Sequence, residues 1–274
     1  MTRATYGKLI LVMLAITVVS SVVLLQFEWF GDAASEQAGP IDTLFDVMIV
    51  LSCFVFAIVM VMFAYALWKY RAKPGDESDG KPIHGNTRLE IAWTVIPTII
   101  VLFGAAYSWV ILDDIEAEAS DQMPLHVTGQ QFKWTFEYPE EMVGSGDSAA
   151  PLTSDELHVP VDRQLEVTVE ALDVLHSFWV PEWRIKRDLV PSGPGGDEID
   201  DSFVVTPNEE GTYSLMCTEL CGLGHSTMRA TVVVESQEAF DQWASEQAQA
   251  QEGASAGATE ASSSDGAAAA ANGT

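Results

Sequence analysis

Residues 131–139 read QFKWTFEYP, a stretch in which polar and apolar side chains alternate. Four aromatic residues occupy every second position: Phe132, Trp134, Phe136 and Tyr138. Successive side chains of a β-strand point to opposite faces of the sheet, so a period of two places these rings on one face. The stretch therefore predicts a β-strand that is buried on one side and solvated on the other.

Similar strand-like runs follow this stretch, with Pro, Gly, Asn and Asp between them: QLEVTVEAL (164–172), SFVVTP (202–207), GTYSLMC (211–217) and MRATVVVES (228–236). Several short strands separated by turn residues predict a Greek-key sandwich or barrel, which we place at residues 113–243. From residue 244 the sequence is almost entirely Ala, Ser, Gly, Gln and Glu. Such a composition cannot bury a core, so residues 244–274 are predicted to be a disordered acidic, Ala-rich tail.

Three uncharged apolar segments precede the strands. Residues 47–68 and 91–112 hold 22 residues each. As helices they would be about 33 Å long, enough to cross a hydrocarbon core of roughly 30 Å. They predict a transmembrane helical hairpin at residues 42–112. Residues 9–25 fit a signal peptide and a further transmembrane helix equally well, so residues 1–26 keep both interpretations.

Basic residues cluster between the two predicted spans, at Lys69, Arg71, Lys73, Lys81 and Arg88. Loops rich in Lys and Arg stay on the cytoplasmic side of a membrane. The loop inside the hairpin is therefore predicted to be cytoplasmic, and the C-terminal β-domain is predicted to lie outside the cytoplasm. We expect a multi-pass protein of the plasma membrane.

The chain is strongly acidic, with a formal net charge of −27 at pH 7. Residues 1–112 contain 7 basic and 9 acidic residues, whereas residues 113–274 contain 6 basic and 31 acidic residues. Binding to nucleic acid needs clustered Lys and Arg, so this class of partner is excluded. The acidic part fits a halophilic source, whose salt would screen self-repulsion, or an acidic docking face in an ordinary organism; we favour the halophilic source.

Two of the three cysteines lie in one short loop, CTELCGLGHSTM at residues 217–228. In an exported domain, Cys217 and Cys221 could form a disulfide, with His225 on the surface and Met228 in the core of the following strand. Two thiolates, an imidazole and a thioether are, however, the ligand set that selects copper. The loop therefore favours a metal site, in which two cysteines four residues apart could bridge two ions.

A second histidine for such a site lies in DVLHSFWVPEW, residues 173–183. His176 follows a predicted strand, and the aromatic residues beside it would keep water away from a redox metal. Asp173 and Asp188 flank this segment, and they either order it or are ordinary surface acids. The segment predicts His176 as a ligand that joins those of the loop.

These motifs, together with HGNTRLEIAWTVIPTII at residues 84–100, resemble subunit II of the haem–copper cytochrome c oxidases over about residues 40–240. The resemblance implies a membrane-anchored all-β fold. In it, an N-terminal transmembrane helical hairpin, plus one further N-terminal apolar segment, is followed by a cupredoxin-like Greek-key β-barrel. It also implies that the barrel holds a dinuclear copper centre of the CuA type.

The resemblance implies six copper ligands: His176, Cys217, Glu219, Cys221, His225 and Met228. The two cysteines would bridge both ions. One ion would also bind His176 and Met228, and the other would bind His225 and the main-chain carbonyl of Glu219. In the family, the carboxylate at the position of Glu219 also reaches a magnesium or manganese ion at the boundary with subunit I.

The resemblance further implies that the chain is the subunit through which electrons enter a respiratory terminal oxidase. Its copper pair would take electrons from cytochrome c or a small blue-copper protein. It would pass them to a haem in subunit I, where oxygen is reduced to water and protons are pumped. Subunit III and membrane lipid are further expected partners, and no oxygen chemistry is expected on this chain.

Phe132 and Glu90, outside the copper site, match positions that have roles in the family, and Trp134 lies two residues after Phe132. Phe132 and Trp134 are candidates for the residue at which electrons enter, although the aromatic face of the strand favours a core position for Trp134. Glu90 matches an acidic group near the mouth of a proton path, or it is an interfacial glutamate exposed to the cytoplasm.

The rival functions are a CuA domain of another reductase, a metal-free quinol oxidase subunit and a copper carrier.

Overall fold

A computed structural model describes residues 2–72, 74–75, 79–80, 82, 84–139, 151–192 and 201–253. The chain divides into two compact units. The first contains residues 1–29 and 39–115, and the second contains residues 30–38 together with the chain from residue 116 onward. The second unit thus draws on two stretches of chain that the predicted hairpin separates in the sequence.

Among its described residues, the first unit contains three helices: α1 (Arg3–Leu24), α2 (Ala38–Lys69) and α3 (Thr87–Ile115). Each is long and apolar enough to cross a membrane. The two predicted spans lie within α2 and α3, and the first uncharged segment is helical as α1. The predicted order of apolar helices followed by a β-domain is confirmed.

Polar residues explain where α1 and α3 begin. The Thr2 hydroxyl accepts a hydrogen bond from the N–H of Thr5 at 3.3 Å. Ahead of α3, Asn86 Oδ1 accepts from the N–H of Arg88 at 3.1 Å, and Glu90 Oε1 accepts from the N–H of Asn86 at 3.1 Å. These bonds satisfy amide groups that have no partner within the first turn of a helix.

Within its described residues, the second unit contains ten strands: β1 (Met123–Gln130), β2 (Lys133–Tyr138), β3 (Leu152–Ser154), β4 (Leu157–Pro160), β5 (Leu165–Ala171), β6 (His176–Val180), β7 (Ile185–Leu189), β8 (Asp201–Val205), β9 (Gly211–Cys217) and β10 (Arg229–Glu235). They form two five-stranded sheets, in the orders β3-β2-β1-β5-β8 and β4-β10-β9-β6-β7. The pairs β1–β5 and β4–β10 are parallel, and the other neighbouring pairs are antiparallel. The predicted all-β domain is therefore present as two packed mixed sheets.

The aromatic face of residues 131–139 is largely buried, as predicted. Trp134, Phe136 and Tyr138 lie on β2 and belong to one core with side chains of both sheets. Phe132 precedes β2 and is 38% exposed. The alternation thus places three of the four rings in the core and leaves the first at the edge of the barrel.

Residues 30–38, which we call the strap, run along the barrel. The Ser35 hydroxyl donates a hydrogen bond to the Trp183 carbonyl at 2.9 Å, and the Arg184 guanidinium donates to the Gly31 carbonyl at 2.9 Å. These contacts join positions 148 and 153 residues apart in the sequence. The sequence alone does not predict these contacts, because the strap has neither the length nor the alternation of a strand.

A helix at residues 237–253 follows β10 and packs on the barrel. Ala244 is buried, and the Trp243 ring stacks on the His158 imidazole with ring centroids 4.1 Å apart. The disordered tail predicted from residue 244 differs from the structure here. Ala, Gln and Glu are strong helix formers, and a helix that lies on a formed barrel needs few large apolar side chains of its own. Residues 254–274 of the predicted tail lie outside the described residues.

Candidate metal centre

The predicted ligands come from two neighbouring loops of the barrel. His176 is the first residue of β6, and Cys217 is the last residue of β9. These strands pair with Phe178 opposite Cys217, so the histidine is brought next to the cysteine. The N–H of Cys217 donates to the carbonyl of Met228 at 3.1 Å, which closes the loop at residues 217–228.

Five side-chain donor atoms lie next to one another. His176 Nδ1 is 3.8 Å from Cys217 Sγ, which is 3.8 Å from Cys221 Sγ. Cys221 Sγ is 3.7 Å from His225 Nδ1 and 3.8 Å from Met228 Sδ. Ligands bound at roughly 2.0–2.3 Å around one tetrahedral ion lie about 3.5 Å apart. The spacing of these atoms therefore suits metal binding.

The sixth predicted ligand, the main-chain carbonyl of Glu219, adjoins the same cluster. Its oxygen lies 3.3 Å from Cys217 Sγ, and the residue is half-buried. The structure thus brings together all six residues that the resemblance implies as copper ligands.

The cluster is largely shielded from solvent. His176, Cys217, Cys221 and Met228 are buried, and His225 is half-buried. Both cysteines of the loop are free. Their sulfurs are 3.8 Å apart, well beyond the roughly 2.05 Å of a disulfide bond. The arrangement favours a metal site over a disulfide.

Neighbouring groups fix the orientation of the His176 ring. Its Nε2 is 2.8 Å from Asp173 Oδ1, and the Trp134 ring meets it edge-on with centroids 6.2 Å apart. A Cβ on Gly129 would lie 3.3 Å from His176 Cβ and Cδ2, which leaves little room for a larger residue there. With Nε2 bonded to a carboxylate, Nδ1 is left to face Cys217.

Both acids that flank the His176 segment order it. Asp173 accepts the bond from His176, and its other oxygen accepts from the N–H of Gln131 at 2.8 Å. Partial burial opposes ionisation, but these bonds, led by that from Gln131, hold the pKa of Asp173 below its ordinary value. Asp188 accepts from the Ser177 hydroxyl at 2.7 Å. Asp173 is therefore a carboxylate that holds the Nε2 proton of His176.

The net shift of the pKa has the opposite direction at Cys221, where burial opposes ionisation of the thiol and no hydrogen bond outweighs it. Burial first, and then the neighbouring Cys217, raises the pKa of Cys221 from 9.0 to about 11. A soft metal binds the thiolate and not the thiol. We therefore expect metal binding to release protons and to become tighter as the pH rises.

We predict that the raised pKa of Cys221 makes the metal-free protein less stable at high pH. The folded chain holds this proton more tightly than the unfolded chain. The stabilisation is therefore complete below pH 9.0 and is lost as the pH rises to about 11. Urea unfolding of the metal-free protein across this range should show the decrease, and Cys221→Ser should remove this contribution. Equal pH slopes in the two proteins would contradict the prediction.

The two candidates for the residue at which electrons enter lie in different environments. The exposed Phe132 ring packs on the ligand-bearing loop, where a Cβ on Gly224 would lie 2.5 Å from it. Trp134 is 2% exposed and lies in the core beside His176. Of the two, Phe132 is the one that a soluble partner can reach.

Glu90 lies in the first unit, at the start of α3. It is exposed, and its carboxylate caps the helix by accepting the hydrogen bond from Asn86. This helix cap gives Glu90 a structural role that requires no proton path. The assignment of Glu90 to such a path stays a prediction.

Sequence reasoning missed Gln131, which touches the ligand-bearing loop. Its Nε2 donates to the Cys221 carbonyl at 2.6 Å. A glutamine has no distinctive metal chemistry, and its partner is a main-chain atom 90 residues away. Its place next to the aromatic alternation was the one available signal.

Comparisons with known proteins identify the family to which both parts of the chain are similar. The family model "Cytochrome C oxidase subunit II, transmembrane domain" matches residues 21–111, and "Cytochrome C oxidase subunit II, periplasmic domain" matches residues 123–237. The cytochrome c oxidase subunit 2 of Thermostichus vulcanus is 30% identical over 283 residues, covering 81% of this chain and 81% of that protein. That of Synechocystis sp. is 30% identical over 284 residues, covering 84% of this chain and 80% of the relative.

Among solved structures, the periplasmic domain of subunit II of cytochrome oxidase from Bradyrhizobium japonicum is similar with a TM-score of 0.40. It is 24% identical, and the match covers 49% of this chain and 97% of that one. The two family models and the apolar helices indicate a membrane protein whose C-terminal domain lies outside the cytoplasm. The chain belongs to the cytochrome c oxidase subunit II family, the subunit through which electrons enter a haem–copper terminal oxidase.

Proposed function

We propose that the chain binds a dinuclear copper centre of the CuA type and relays electrons from a soluble donor to a haem of oxidase subunit I. The observation that carries this proposal is the cluster of two thiols, two imidazoles and a thioether, with neighbouring donor atoms 3.7–3.8 Å apart. Soft thiolate and thioether ligands together with imidazole suit copper. When bound, such a copper pair accepts and passes on one electron at a time.

We assign six ligands to the two ions: His176, Cys217, Glu219, Cys221, His225 and Met228. His176 and Met228 would hold one ion, and His225 and the Glu219 carbonyl would hold the other. Cys217 Sγ adjoins one ligand of each ion, His176 and Glu219. Cys221 Sγ also adjoins one ligand of each ion, Met228 and His225. This crossed arrangement supports a bridging role for both sulfurs.

The residues around the ligands suit a relay, because they hold the site in one geometry. Asp173 keeps the proton of His176 on Nε2, which leaves Nδ1 to bind metal. Burial keeps water away from the two thiols. The hydrogen bond between Cys217 and Met228 fixes the first and last residues of the loop at 217–228. A site that hardly moves needs little reorganisation when an electron arrives or leaves.

We further propose that electrons enter near Phe132. Its exposed ring packs on Gly222 and Gly224, in the stretch between two of the assigned ligands. Leu220 and Leu223 of the same loop are also exposed. A donor that docks on this apolar surface comes close to the ligands, and the acidic domain attracts a cationic one. Cytochrome c and a small blue-copper protein are the two donor classes that we propose.

Further assignments rest on the family. We assign the Glu219 carboxylate to a magnesium or manganese ion at the boundary with subunit I, and Glu90 to the vicinity of a proton path. Subunit I, subunit III and plasma-membrane lipid would surround the apolar helices, with residues 42–112 as the hairpin and the β-domain outside. The halophilic source and proton pumping by the complex stay predictions, and residues 1–26 keep both interpretations, a signal peptide or a further transmembrane helix.

Electron paramagnetic resonance combined with copper analysis tests the proposal on the full chain in detergent. We expect two coppers per chain and hyperfine structure from one electron shared by both nuclei. A single localised copper would overturn the dinuclear assignment and favour a copper carrier. A chain that binds no copper would favour the metal-free quinol oxidase type.

A further inference from the structure

The turn between β1 and β2 touches both loops that supply the proposed ligands. The main-chain N–H of Gln131 donates to Asp173 Oδ2 at 2.8 Å, on the loop that leads to His176. The side-chain Nε2 of the same residue donates to the Cys221 carbonyl at 2.6 Å, on the loop with the two cysteines. One residue therefore ties the two loops together.

On the histidine side, Gln131 acts through a shared carboxylate. Asp173 uses one oxygen for the Gln131 N–H and the other for His176 Nε2, at 2.8 Å each. A carboxylate that is held at one oxygen cannot rotate freely, so the position of its other oxygen is fixed as well. The orientation of the His176 imidazole therefore depends on the β1–β2 turn as well as on β6.

On the cysteine side, the contact is close and depends on glycine. Gly222 has φ +133°, and a Cβ there would lie 2.8 Å from Gln131 Nε2. This backbone conformation strains any residue with a side chain. A Cβ on Gly224 would overlap the Phe132 ring, at 2.5 Å. The loop and the turn therefore meet along a surface that only glycines allow.

We propose that Gln131 is a positioning residue that clamps the His176 loop and the cysteine loop into one copper-binding geometry. The inference rests on the proposed copper site and adds to it a residue that binds no metal. Groups that orient metal ligands typically change metal affinity by 10–100-fold when they are removed. Gln131 is placed to act on ligands of both ions, because Cys221 bridges them and His176 belongs to one.

Two substitutions separate the hydrogen bond from the volume of the side chain. Gln131→Ala removes both the side-chain N–H donor and the volume of the side chain. Gln131→Glu keeps the volume but loses the donor, since a carboxylate cannot donate to the Cys221 carbonyl. Gln130→Ala is the matched control, because Gln130 is the exposed neighbour at the end of β1.

The first measurement uses the copper-loaded full chain in detergent. We expect copper loss to a chelator to be about tenfold faster in Gln131→Ala and Gln131→Glu, with altered copper hyperfine couplings, and unchanged in Gln130→Ala. A loss of stability alone would lower the melting temperature but leave the couplings of the folded protein as they are. The proposal would be overturned if Gln131→Glu left both the hyperfine couplings and the rate of copper loss unchanged.

The second measurement needs no copper, so it separates this inference from the proposed function. In the metal-free chain we expect iodoacetamide to modify Cys221 about tenfold faster in both Gln131 variants, because losing one buried hydrogen bond lets the loop open. Cys53, in α2, is an internal reference for the reaction. Equal rates in all variants would contradict the clamp. A chain that binds no copper pair yet shows the faster modification would refute the copper proposal and leave the clamp standing.

Discussion

We expect Cys217→Ser to remove the proposed copper pair and with it the oxidation of the soluble donor. The serine hydroxyl is hard and stays protonated near neutral pH, so it cannot replace the thiolate that we propose to bridge two soft ions. Cys217 adjoins His176 and the Glu219 carbonyl, so its loss affects a ligand contact of each ion. We expect donor oxidation by the purified oxidase to fall by at least ~100-fold, since a ligand matters more than the groups that orient it.

The matched control for this substitution is Cys53→Ser, because Cys53 is also a buried free cysteine but lies in α2. It should leave copper content, resonance spectrum and turnover unchanged. Copper analysis and donor oxidation on the two variants, purified in parallel, provide the comparison. Turnover that survives in Cys217→Ser would rule out the relay through this site.

Trp134→Ala produces the largest loss of stability that we expect from the barrel core. Trp134 is 2% exposed, and its ring meets both Phe178 and His176 edge-on, with centroids 6.3 Å and 6.2 Å apart. Removing the indole leaves a cavity between the sheets. Substitutions of this kind cost about 3–5 kcal/mol of unfolding free energy. Denaturant unfolding of the metal-free chain measures the loss.

Trp134→Phe is the informative companion to this substitution. Trp134 Nε1 is buried and has no hydrogen-bond partner among the described residues. Phenylalanine therefore removes an unpaired polar group while it keeps an aromatic ring beside His176. We expect a cost below about 1.5 kcal/mol, because the ring that remains fills most of the space. Equal losses for Ala and Phe would show that the indole N–H has a partner and that Trp134 is more than a packing residue.

The sequence predicted those parts of the protein whose signals are local. The alternation at residues 131–139 identified a buried strand because burial on one face of a sheet imposes a period of two. The loop at residues 217–228 identified the site because four donor side chains lie within one hairpin. His176 was predicted from its aromatic neighbours and from the family, and the pairing of β6 with β9 places it beside Cys217.

The parts that the sequence did not predict depend on contacts between distant main-chain atoms. Gln131 meets a carbonyl 90 residues away, and Ser35 of the strap meets one 148 residues away. Neither contact requires a particular pattern around it, so no periodicity marks it. The helix at residues 237–253 was not predicted for a related reason. Its stability comes from the barrel under Ala244 and Trp243 and not from its own apolar content.

The strap also restricts how many times the chain can cross the membrane between residue 38 and the barrel. Residues 30–38 and the barrel form one compact unit, so both must lie on the same side of the bilayer. The chain between them therefore crosses an even number of times. Among the described residues of that interval, two helices are long enough to span, α2 and α3, so either both of them span or neither does. An even number of crossings follows from the strap without any reference to charge, and it agrees with the orientation that the basic residues between these helices predict.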